Sequence, residues 1–127
     1  MKKAKMILRI FFGIFLLVFG LNSFLNFIPL PEMAEQARIF IGAMAETVYM
    51  LPIIGALEVV AGVLLITNKL VPLTLIVIFP ILLNAFLFHL FLDLAGIGGA
   101  FIAITLNIIL FFMNKESYKN LFIMDTN

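Results

Sequence analysis

The chain of 127 residues is 65% apolar and 12% charged, with a mean hydropathy of +1.25, whereas a soluble domain averages about half apolar and a quarter charged. It has too little polar surface to cover itself in water, so a lipid bilayer is its expected partner and one membrane domain over 1–127 its expected organisation. A net charge of +1 without long like-charge runs excludes nucleic acid as a partner, and zero Cys excludes disulfides, thiol redox centres, Fe–S clusters and Cys-ligated zinc.

Four apolar stretches, 7–27, 51–67, 71–92 and 97–113, each approach the roughly 20 residues that cross a ~30 Å hydrocarbon layer. The expected fold is all-α: a transmembrane four-helix bundle with a short amphipathic outer helix between spans one and two. Met1-Lys2-Lys3-Ala4-Lys5 looks like the start of a signal peptide, but the apolar run behind it is too long and lacks a small-x-small cleavage site, so it is expected to stay attached as the first span. Seven of the eight basic residues (Lys2, Lys3, Lys5, Arg9, Lys69, Lys115 and Lys119) fall on one side of this topology. Lys and Arg resist translocation, so both termini are expected in the cytoplasm, with the protein multi-pass in a bacterial inner membrane. Tyr49 and Tyr118, just outside spans two and four, are expected at headgroup level with wet hydroxyls.

Residues 28–50 form the one long connection, on the outer side. Pro29 and Pro31 end the first helix, and Pro31 is a suitable first residue for another, with Glu32 and Glu35 in its first turn. Met33, Ala37, Phe40, Ile41, Met44 and Val48 recur at helical spacing, which predicts a short amphipathic helix roofing the bundle. Small residues mark close helix contacts: Gly13 and Gly20 on span one, Gly55 and Gly62 flanking Glu58 on one face of span two, and the pair Gly98 and Gly99 opening span four. Pro80, inside span three, removes the donor for the Ile76 carbonyl and is expected to kink the helix.

Polar groups at membrane depth are costly, so they are the candidate ligand-binding residues. Glu58, Asn84, Thr105 and Asn107 fall near the middles of their spans, Asn22 and Asn26 in the outer part of span one, and His89 and Asp93 one turn apart near the outer end of span three. These heights sketch a polar cavity running from mid-membrane to the outer face. Two readings of Glu58 stand side by side: a protonated carboxyl bonded to Asn84 or Asn22, or a group that exchanges protons or binds a ligand. Arg9 lies roughly 12 Å away in height at 1.5 Å per residue, too far to pair with it. His89, its tautomer set by Asp93, suits a proton relay or a hydrogen bond to a quinone carbonyl; the alternative is a His and an Asp reaching the outer headgroups. Glu58, His89 and Asp93 stand at different heights, so no metal site is expected. Ser23 has no catalytic context, and no nucleotide or hydrolase motif is present.

Three segments carry a family resemblance: Arg9 to Asn22, ending Gly20-Leu21-Asn22; Leu57-Glu58-Val59-Val60-Ala61-Gly62; and Pro80 to Asp93 with Asn84 and His89. Over roughly Ile7 to Leu121 the chain resembles the DoxX family of small bacterial four-helix membrane proteins. The resemblance implies a membrane subunit working with redox partner proteins. Relatives include a subunit of thiosulfate:quinone oxidoreductase and a component assembling with superoxide dismutase and sulfurtransferase partners. It further implies that Glu58, Asn84, Asn22 and His89 surround a quinone or another small hydrophobic ligand. The chain supplies no redox cofactor of its own. Binding of a lipid or small metabolite, its transport, for which a homodimer would be required, and a structural assembly role are the other classes open to the sequence.

Overall fold

The computed structural model describes residues 1–29 and 31–125, which hold helices and no strand. The order is α1 (Lys2–Leu25), α2 (Glu35–Glu46), α3 (Met50–Ile66), α4 (Val71–Leu92) and α5 (Ile97–Met113), with tighter 3-10 turns at Leu94–Gly96 and Lys115–Phe122. α1, α4 and α5 with its preceding turn are each long and apolar enough to cross a membrane. α3, at 17 residues, passes that test only together with α2, from which it is bent by 89°. The protein therefore has three to four spans. α1 packs on α3 and α5, and α4 on α3 and α5, so the four long helices close into a ring with α2 lying across α3 and α4.

Local chemistry sets the helix ends. α1 stops at Asn26, which turns left-handed at φ 53° with its N–H on the Asn22 carbonyl; asparagine tolerates that conformation, and Pro29 forbids any continuation. The outer helix begins at Glu35, not at Pro31 as the residue pattern predicts. Its buried face holds Ala37 and Met44, with Phe40 and Ile41 half-buried. Val48 leaves that face: it sits at φ 70° in the corner after the helix and is 79% exposed. Thr47 pins the corner, its Oγ1 donating to the Met44 carbonyl at 2.6 Å and accepting from the Met50 N–H at 3.1 Å.

α1 and α3 approach backbone to backbone through the predicted glycines. A Cβ on Gly62 would stand 2.7 Å from the Gly13 carbonyl oxygen, and one on Gly20 would stand 2.8 Å from the Val59 nitrogen. Gly98 and Gly99 behave differently from expectation: nothing lies within 4 Å of a Cβ on Gly98, and only Phe15 Cζ, at 3.9 Å, is near one on Gly99. α4 remains one continuous helix through Pro80. Asn107, fully buried, donates to the Leu75 carbonyl at 3.1 Å and ties α5 to α4.

Tyr118 is not at headgroup level with a wet hydroxyl. The 3-10 turn after α5 folds it inward until it is 2% exposed, stacked on Phe111 at 4.4 Å and donating to the Pro72 carbonyl at 2.9 Å. Burial holds its phenol pKa above the ordinary value, so it stays protonated as that donor. The apolar core, Phe12, Leu16, Leu65, Leu75, Ile78 and Leu110 among its members, fills the end of the bundle near Arg9, Lys69 and Lys115. The opposite end, beneath α2, is hollow.

Candidate functional site

The hollow end contains two lobes. The larger, 560 Å³, lies under α2 and between α3 and α4, with Phe40, Ile41, Met44, Glu58, Asn84 and His89 among its walls. The smaller, 300 Å³, lies between α1, α4 and α5. Pro31, Glu58, Ile81, Ala85, His89 and Asp93 line both, so the lobes meet at these residues. Four of the six sequence-predicted residues, Glu58, Asn84, His89 and Asp93, therefore share one cavity.

Glu58 reaches the junction because of the glycine face on α1. Its Cβ occupies the space that a Cβ on Gly20 would need, 2.9 Å away, which fixes where the carboxyl stem leaves α3. Every fully buried side-chain nitrogen and oxygen of the described residues has a hydrogen-bond partner. The carboxyl, half-buried and without a hydrogen bond among the described residues, thus opens to the cavity and is not tied to a neighbouring helix. Arg9 is committed elsewhere. Its guanidinium donates to the Leu65 and Ile66 carbonyls at the end of α3, the latter at 3.2 Å, where the helix dipole is negative.

His89 and Asp93 form a local pair at the end of α4. Nδ1 lies 3.2 Å from Asp93 Oδ2 and 3.3 Å from the Asp93 carbonyl, and the aspartate side chain is 8% exposed. Both contacts hold a proton on Nδ1 and leave Nε2 as the ring's other polar edge. Gly96 closes on the pair so tightly that a Cβ there would stand 2.7 Å from Asp93 Oδ2 and 2.9 Å from His89 Nδ1. Phe88 meets the imidazole edge-on at 5.0 Å and Phe40 of α2 at 5.4 Å, joining roof to site.

Asn22 and Asn26 do not line either lobe. Asn22 turns to its own chain, Oδ1 accepting from the Ile28 N–H at 2.7 Å and Nδ2 donating to the Ile28 carbonyl at 3.4 Å, and Asn26 is the exposed left-handed cap of α1. Among the described residues no three His, Asp or Glu side chains converge to hold a metal. The sequence reading missed the smaller lobe, formed by Phe15 and Phe19 of α1 facing Gly99, Ala100 and Ala103 of α5. The spacing of those small residues along one face of span four was the available signal.

The family model for DoxX matches residues 4–90, which cover α1 to most of α4 and include every residue of the His89 to Glu58 wall except Asp93. No curated protein and no solved structure matches the chain.

Proposed function

Since the chain belongs to the DoxX family and is an integral membrane protein by its helices, we propose that it binds a quinone in the cavity beneath α2, as the membrane subunit of a redox assembly. The observation that carries this reading is the convergence of Glu58 from α3 with Asn84 and His89 from α4 on one mostly apolar 560 Å³ cavity, whose other polar side chains are Ser23 and Asp93. A quinone head is flat, apolar and an acceptor at both ends. A carboxylic acid O–H and an amide N–H are donors it can use, and the Nε2 edge of His89 can accept from a hydroxyl of the reduced form. Asp93 holds the His89 ring in one orientation. With zero Cys and one His the chain has no evident redox group of its own, and the electrons come from a partner protein. The basic residues Arg9, Lys69, Lys115 and Lys119 gather at the core end of the bundle, which supports cytoplasmic termini in a bacterial inner membrane and a cavity facing outward.

The test is quinone content and quinone response of the purified protein. Wild type is expected to carry extractable quinone and to melt at higher temperature when quinone is added; Asn84→Leu and His89→Leu should each weaken that response about threefold to tenfold, the worth of one hydrogen bond. Wild type free of quinone, with an unmoved melting temperature, overturns the reading. The unpaired Glu58 carboxyl favours a second reading, proton-coupled transport of a small hydrophobic metabolite. Flux into proteoliposomes that Glu58→Gln abolishes would support it, and unchanged flux would remove it.

A further inference from the structure

We infer that the smaller lobe is a lateral port through which the long apolar tail of the bound ligand leaves the cavity for the outer leaflet, with Gly99 as the residue that keeps it open. This rests on the reading of the cavity as a ligand site and adds the ligand's class: a compact hydrogen-bonding head carrying one long apolar tail.

Three observations carry it. The 300 Å³ lobe is polar at one end only, where Glu58, His89 and Asp93 mark its junction with the head cavity, and beyond them its walls are Phe15, Phe19, Gly99, Ala100 and Ala103. The two helices forming it are held apart there. On the α1–α3 side glycines bring backbones so close that an added Cβ would overlap at 2.7 to 2.9 Å, whereas a Cβ on Gly99 would meet its nearest neighbour, Phe15 Cζ, at 3.9 Å. Finally, the lobe runs from a sealed floor to an open mouth: Leu16, Leu82 and Ala103 are buried, Phe19 and Gly99 exposed. Gly99 is two residues into α5, about 3 Å from the helix end at 1.5 Å per residue. The mouth therefore lies near the outer end of the bundle, in the gap between the neighbouring helices α1 and α5, and gives onto the outer leaflet.

A tail moved from lipid into this port exchanges one apolar surrounding for another, so it gains little affinity. The port works by exclusion: open, it admits long and short tails alike; closed, it forces a long tail against α1. The experiment compares a one-isoprene benzoquinone with a long-chain homologue, each titrated against protein in nanodiscs with the melting temperature as readout. Wild type is expected to bind the two with affinities within about threefold of each other. Gly99→Phe should leave the short-tailed quinone unchanged, which also shows that the variant folds, and weaken the long-tailed one by about tenfold or more. Gly98→Phe, outside the lobe and with open space around its Cβ, should change neither. Equal effects of Gly99→Phe on both quinones, or rejection of the long-tailed quinone by wild type, overturn the port. If wild type binds neither quinone, the cavity reading fails and takes the port with it, a result distinct from either of those.

Discussion

A guanidinium inside a bilayer has to find acceptors, and Arg9 finds the two carbonyls that end α3. The arrangement satisfies charge and helix end together, because those carbonyls carry the negative end of the helix dipole and Leu65 otherwise accepts only at the turn after the helix, from the Asn68 N–H at 3.3 Å among its bonds there. Arg9→Met should therefore lower stability by about 1–2 kcal/mol, read as thermal unfolding in detergent, because the unfolded chain in a membrane also finds partners. Both bonds leave one nitrogen, Nη1, and a lysine ammonium carries three donors, so Arg9→Lys should keep most of that stability; a Met variant as stable as wild type would show the contact to be incidental. Distance along the helices was enough to separate Arg9 from Glu58, but its partners depend on how α1 leans on α3 and were not legible. The same limit explains the asparagines. Glu58, Asn84, His89 and Asp93 stand out because a polar group at that depth needs a reason, and helix arithmetic puts them at matching heights. Asn22 meets the same criterion and faces elsewhere, because the backbone of Ile28 offers both a donor and an acceptor within reach once Asn26 turns left-handed.

Among the elements, the α1–α3 pair is the one most fully written in the residue pattern. Gly13 and Gly20, a heptad apart, face Gly55 and Gly62, also a heptad apart, and the structure brings Gly13 against Gly62 and Gly20 beside Glu58. Replacing Gly62 by Ala adds a better helix former, worth up to about 1 kcal/mol, but drives its Cβ to 2.7 Å from the Gly13 carbonyl oxygen, a backbone atom with no rotamer to change. Overlap should win, with a net loss of about 1–3 kcal/mol. Gly98→Ala, in open space, should show only the propensity gain. Melting temperatures of the two variants measured side by side decide it; two shifts of the same sign would mean that helix propensity, not close approach, sets the cost. The glycines of α5 could not be told from those of α1 by sequence, since a small residue allows contact or leaves room with equal ease. The start of α2 was likewise misplaced by one turn, because a proline that suits a first helical position does not compel one, and the N–H groups near it face water that can satisfy them.

On the scale of the whole molecule, the apolar core and the cavity lined by charged side chains lie at opposite ends. Phe12, Leu16, Leu75, Ile78 and Leu110 pack in one half, where Asn107 and Tyr118 bolt α4 and α5 together beside a 440 Å³ groove without a charged side chain, and the other half surrounds the two lobes that meet at Glu58, His89 and Asp93. α2 covers that space with little to hold it: two buried residues, Ala37 and Met44, and an aromatic contact between Phe40 and Phe88 at 5.4 Å. Its flanks are built to bend, with Pro29 and Pro31 before it and Val48 at φ 70° after it. Segments with few buried contacts open at a free energy well below that of global unfolding. Amide hydrogen exchange should therefore release α2 well before α1 or the first half of α4. Because the chain has no Cys, Phe40→Cys with Phe88→Cys introduces the only two thiols, and oxidising them onto a short dithiol linker that spans the room vacated by the two rings should bring α2 exchange down toward that of α4, reversibly on reduction. The effect follows from removing the open state and not from adding stability to the core, so exchange in α1 should not change. If α2 exchanges no faster than α4 before oxidation, the roof is part of the rigid bundle and the hollow end is as fixed as the packed one.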